Sequence, residues 1–122
     1  MEQEYIKGDI VMYDSRIHTI MDALGVNNYE LSCISHPVHQ LELSGVPLTP
    51  EILSANSFKM VRQDESGALY SKERLGIDIV ASYVRNCYDI CISGDKVLRG
   101  IEYCHQLQHF LFGLGLNSEM EV

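Results

Sequence analysis

The longest helical spacing of apolar positions lies in residues 101–114. At about 100° per residue, Tyr103, Cys104, Leu107, Phe110, Leu111 and Leu114 fall on one broad face. Glu102, Gln106 and His109 fall on the other, Gln108 lies inside the apolar arc, and His105 sits at its edge. The remaining chain is strand-rich, and several stretches alternate with period two, the spacing of half-buried strands. Residues 10–13 form a short apolar run, and Asp14-Ser15 can turn it. Residues 16–24 follow, with Ile17, Thr19 and Met21 on one side. Tyr29, Leu31 and Cys33 alternate with polar residues, Ser35-His36-Pro37 breaks the pattern, and residues 40–43 resume it. Four short strands with tight turns predict a small, strongly bent antiparallel sheet of SH3-like type.

Mid-chain, the pattern changes. Thr49 before Pro50 and Glu51 is a helix start: a hydroxyl cap, a proline in the first turn, and a carboxylate at the positive end of the dipole. Asn56-Ser57 can end this helix at once, so a short linking helix is expected over 49–56. A hairpin follows, with strands at 58–62 and 68–72 around Asp64-Glu65-Ser66-Gly67. Residues 77–84 are rich in β-branched side chains. Tyr88, Ile90 and Ile92 then alternate with Asp89, Cys91 and Ser93, and Gly94-Asp95 reads as a two-residue type II′ loop. The long helix is expected to begin near Gly100. The predicted fold is α+β: a small N-terminal antiparallel sheet, the linking helix, and a β-meander capped by the C-terminal helix. A single domain, 1–122, is expected, with subdomains at about 1–46 and 58–122.

Composition narrows the class. Apolar residues are 46% and charged residues 21% of the 122, the proportions of an ordinary globular chain with a sizeable core. The net charge of −8 opposes a large phosphate-binding footprint, and the nine Lys and Arg are scattered. Met1-Glu-Gln-Glu is acidic where a secretory signal would be basic, and no apolar run has spanning length. A cytoplasmic protein with no membrane segment is expected. Cys33, Cys87, Cys91 and Cys104 should then be reduced.

Three stretches carry a resemblance. Val46-Pro47-Leu48-Thr49-Pro50-Glu51-Ile52-Leu53, followed by Phe58, is similar to a Pro-Leu-Thr-Glu-Glu-x-Leu…Gly-Phe stretch. Tyr103-Cys104-His105-Gln106-Leu107-Gln108-His109 resembles a Tyr-Val-His-Gln-Leu-Gln-Asn helix that precedes an acidic-hydrophobic tail, here Glu119-Met120-Glu121-Val122. Ile6-Lys7-Gly8-Asp9-Ile10-Val11 resembles an Ile-Gly-Asn-Leu-Val opening. The family is one of small uncharacterised proteins of Bacteroidetes genomes and their phages. The match covers about a third of the chain, and His-Gln-Leu-Gln is its most specific part. The chain departs from it at Asn56-Ser57, where the family has Gly before Phe, and at His109, where it has Asn. The resemblance implies an accessory protein of a phage or mobile element, working in the host cytoplasm, and brings no catalytic chemistry with it.

The candidate chemistry is sparse. Cys33, His36 and His39 are zinc-ligand types, but their spacing is not that of a finger and Pro37 intervenes. His105 and His109 lie one helical turn apart, yet Gln106 stands where a metalloprotease helix needs Glu. Cys87 and Cys91 lack redox spacing and read as small core residues. Asp78, Asp89 and Asp95 could meet across strands or simply face solvent. No metal and no cofactor are expected. Gln108 is the most telling residue, because an amide inside an apolar arc must be hydrogen-bonded or bear its desolvation cost. It either ties the helix to exposed backbone or lines a polar site with Tyr103 and His105. The expected function is non-enzymatic binding, by a homo-oligomer, of a host protein or a small polar ligand. A nucleotide-like small molecule held by the oligomer is the alternative, and an SH3-like nucleic-acid module, disfavoured by charge, is the third.

Overall fold

The computed structural model describes residues 5–25, 27–72 and 75–120. The first four residues, Arg74 and the Glu121-Val122 end of the tail, all used above, lie outside them. The fold is α+β, with two antiparallel five-stranded sheets, one short helix and one C-terminal helix. No helix among the described residues is long and apolar enough to cross a membrane. The chain divides into two compact units, one of residues up to Pro47 with Tyr103–Met120, the other of Leu48–Glu102.

In the first unit, β1 (Ile10–Tyr13), β2 (Arg16–Ala23), β3 (Asn28–Leu31), β4 (Val38–His39) and β5 (Ser44–Gly45) form a sheet of order β4-β3-β2-β1-β5. Tyr13 pairs with Arg16, so Asp14-Ser15 is a two-residue loop, as its sequence suggests. Both loop residues have positive φ, 51° and 62°, the type I′ geometry that matches strand twist. Tyr5, Val11, Ile20, Tyr29, Leu31, Val38 and Leu43 form a buried cluster on this sheet. Two expectations fail here. Residues 40–42 form a 3-10 turn rather than a strand, because the His39 ring accepts the Leu41 N–H and Glu42 reaches back to the His39 N–H. Cys33 is exposed at φ 63°, where the chain has already left β3, and so is not a core residue.

In the second unit, α1 (Pro50–Ala55) starts where the sequence places it, with Thr49 Oγ1 accepting the Ile52 N–H at 3.2 Å. Its end is a Schellman motif. The Phe58 N–H donates to Leu53 O and the Ser57 N–H to Ser54 O, with Leu53 and Phe58 both buried. Strands β6 (Lys59–Gln63), β7 (Gly67–Lys72), β8 (Ile77–Ser82), β9 (Cys87–Ile92) and β10 (Asp95–Ile101) then meander in sequence order. The register Tyr70↔Ile79↔Ile90 puts three fully buried side chains on one face. The β9–β10 loop is Ser93-Gly94, not Gly94-Asp95, since Asp95 pairs with Ile92. Both loop residues have positive φ, 52° and 87°, so the turn is type I′ instead of II′.

The C-terminal helix α2 (Cys104–Gly113) starts later than expected, because residues up to Ile101 belong to β10. Its place is in the first unit and not in the unit of the meander: it packs against β1 and is preceded by a bridge between Tyr103 and Pro47. The physical reason is its polar content. Gln108 and His109 find partners in residues 8–10, and an amide and an imidazole go where acceptors and donors wait.

Candidate functional site

The buried side of α2 carries Cys104, His105, Leu107, Gln108 and Leu111. It is therefore rotated from the face drawn from spacing alone. Tyr103, just ahead of the helix, is 36% exposed and Leu114, just after it, 46%. Gln106 is not a free outer residue either, for its Oε1 accepts the Tyr103 N–H at 2.9 Å and closes the first turn.

The three candidates have different fates. The Gln108 amide is fully used by main chain. Oε1 accepts the Ile10 N–H at 2.9 Å, while Nε2 donates to Gly8 O at 2.9 Å and Ser118 O at 3.0 Å. At 2% exposure these bonds replace those it would make to water. Tyr103 packs closely on Gly45, where an added Cβ would come within 2.6 Å of the ring. The ring also stacks on His105, with ring centroids 5.8 Å apart and planes 13° off parallel. His105 is buried, and its Nδ1 has no hydrogen-bond partner. Burial, helped by the neighbouring His109, pushes its pKa down to about 4, so the ring is neutral at pH 7.

Next to this group lies a pair that spacing did not reveal. Asp9 is 2% exposed, and its Oδ2 meets His109 Nε2 at 2.5 Å and the Ile6 N–H at 2.9 Å. Burial raises the Asp9 pKa above the usual carboxylate range, and the bonds from Ile6 and His109 offset part of that rise. His109 and His105 meet edge to face at 5.7 Å, and Tyr5 and His105 do so at 5.0 Å. Behind Tyr5, the Tyr29 hydroxyl accepts the Tyr5 N–H and donates to Gln40 Oε1 at 2.8 Å. A carboxylate in a Lys-Gly-Asp turn gives no sign in sequence that its partner is a hundred residues away. The only hint was Gln108, whose polarity pointed to some backbone near the helix.

The other candidates are not brought together. Cys33 and His36 are exposed, and His39 is used as a cap. Among the described residues, no group of three or more His, Cys, Asp or Glu is arranged to hold a metal ion. In the second unit, Asp89 is buried between Arg85 at 2.8 Å, Lys96 at 3.3 Å and the Gly100 N–H at 3.0 Å. Burial alone would raise its pKa, but the Gly100 N–H, Arg85 and Lys96 together hold it below the usual range. Asp78 lies opposite Cys91 and Asp95 opposite Ile92, and the charges of Asp78, Asp89 and Asp95 all reach the Cys91 thiol. Burial raises the thiol pKa of Cys91, and pushes that of Cys104 up to about 11, which leaves both as inert thiols. Open clefts lie elsewhere among the described residues. One of about 230 Å³ includes Arg62, Asp64 and Val80, and one of about 500 Å³ includes Met21, Glu30 and Cys33. Neither contains Tyr103, His105 or Gln108.

Comparison with protein-family models, curated proteins and solved structures finds no match.

Proposed function

We propose that this chain is a non-enzymatic interaction protein, an accessory factor of a phage or mobile element that acts on a host protein in the cytoplasm and associates with itself. The observation that carries this reading is the outer end of α2. Phe112 is 63% exposed and Leu114 46%, while the buried side of the same helix is committed to β1 and residues 8–10. Large apolar groups left in water at a helix end are favourable contact points for a partner. Their truncation should cost the fold little. The test is a Phe112→Asp/Leu114→Asp double variant. The expected result is an unchanged melting temperature, with loss of self-association in sedimentation and loss of cross-linked host partners. Unchanged association and cross-linking in the folded double variant would overturn the assignment.

A second reading rests on Tyr103 and His105. A partly exposed ring stacked on a neutral imidazole whose Nδ1 has no hydrogen-bond partner suits a small polar ligand with a flat ring, such as a nucleotide-like molecule. Native mass spectrometry of the purified protein separates the two readings, since only the second predicts a bound small molecule lost in Tyr103→Ala. An SH3-like nucleic-acid module is the third reading. The net charge of −8 argues against it, and salt-dependent retention on heparin would be its signature.

A further inference from the structure

In the second unit, one buried carboxylate holds two cations. Asp89 is 1% exposed, and its Oδ2 meets the Arg85 guanidinium at 2.8 Å and the Lys96 ammonium at 3.3 Å. Its Oδ1 accepts the Gly100 N–H at 3.0 Å. The backbone aims that donor: the β9–β10 register shifts between Leu98 and Ile101, and Gly100 has φ +71°. Neutrality asks for one cation on this carboxylate, and the fold supplies two. Side-chain exposures of 52% for Arg85 and 45% for Lys96 leave their outer donors in water. A guanidinium has five N–H donors and an ammonium three, and Asp89 takes one of each.

We propose that Arg85 and Lys96 form a binding site for one phosphate group, carried either by free inorganic phosphate or by a phosphomonoester. Both cationic nitrogens lie within 3.3 Å of a single oxygen, so the oxygens of one tetrahedral anion can accept from both. A guanidinium fork with an ammonium point charge suits such an anion. Asp89 is the positioning residue. Its two pairs fix the cations before the anion arrives, so little side-chain freedom remains to be lost. Two like charges on one oxygen also repel each other, and a second anion on the open side relieves that repulsion. Arg99, exposed in the same bulge, adds a third cation beside Gly100.

Other charges limit the site. Asp78, opposite Cys91, and Asp95, next to Lys96, send their charge to the Cys91 thiol, on the same strand as Asp89. Among the described residues, no ion pair joins either of them to Arg85 or Lys96. They weaken the attraction for a dianion without occupying its donors. The net charge of −8 adds a diffuse repulsion, which salt at about 0.1 M screens beyond about 10 Å. The site therefore suits one phosphate group and not a nucleic-acid backbone, which needs a series of such contacts. The pairing of β9 with β10 brings together cations that are scattered along the sequence.

An NMR titration of the full chain with inorganic phosphate, in about 0.1 M sodium chloride, tests this. The Arg85 side-chain N–H and the Gly100 amide should shift saturably, with half-saturation on the order of 1 mM, while the Ile20 amide in β2 stays still. Lys96→Gln and Arg85→Gln each leave a single cation on Asp89 and should each weaken binding at least about 10-fold. Lys59→Gln, on exposed β6, should leave it unchanged. A peptide bearing phosphoserine distinguishes the two sources: tighter binding than inorganic phosphate marks a phosphate borne by a partner, and binding no tighter marks the free ion. Absence of saturable shifts in the parent protein, or affinity that survives both Lys96→Gln and Arg85→Gln, would overturn the proposal. If a variant does not fold, the shift map of the parent decides alone, and shifts centred away from Arg85, Lys96 and Gly100 would be equally fatal.

Discussion

Ser57 shows how one side chain can sit against the backbone it occupies. It is the residue after the end cap of α1, at φ 72°, and both bonds of the Schellman motif depend on that left-handed conformation. An L-residue bears a steric cost there that glycine avoids, against which glycine loses more freedom on folding. Ser57→Gly should therefore stabilise the protein by about 0.5–1 kcal/mol, read as a higher denaturant midpoint at unchanged slope. A lower midpoint would mean that the Ser57 side chain does more than tolerate its conformation.

The helix α2 illustrates what an element needs beyond an apolar stripe. Its C-terminal end repeats the α1 motif with the favoured residue: Gly115 at φ 73°, the Leu116 N–H on Leu111 O and the Gly115 N–H on Phe112 O. Its middle is fixed by Gln108, which satisfies one donor and one acceptor of residues 8–10 and the carbonyl of Ser118. Gln108→Leu adds apolar surface but orphans the Ile10 N–H and two carbonyls. It should cost about 1–3 kcal/mol in chemical denaturation. Phe112→Ser, on the exposed side, should stay within about 0.5 kcal/mol. Equal losses from the two variants would show that the amide is not the tie that its geometry describes.

At the scale of the whole molecule, the two units differ in how they use the chain. Leu48–Glu102 is continuous, whereas the other unit needs both the N-terminal strands and the last eighteen described residues. Truncation after Glu102 removes the acceptor of Ile10, the partner of Asp9 and the ring under Tyr5. Amides of Val11 and Ile20 should then lose their exchange protection, while those of Ile79 and Ile90 keep theirs. Native protection at Val11 in the truncated chain would mean that the sheet stands without its helix.

Much of the local structure was legible because it is local. Thr49-Pro50 starts a helix through its own hydroxyl and ring, Asp14-Ser15 turns within four residues, β-branched side chains mark β8, and a period-two pattern marks β9. Gln108 announced that it must be bonded, since the cost of an unmet amide does not depend on where its partner lies. The tertiary structure alone decided which backbone meets Gln108 and which sheet receives α2. It also decided that Asp9 and His109 become a pair and that His105 is enclosed by Tyr5 and Tyr103. Those contacts join residues about a hundred positions apart. Sequence spacing sets which way a side chain leaves its own element, and only the folding of both chain ends into one unit sets what it meets.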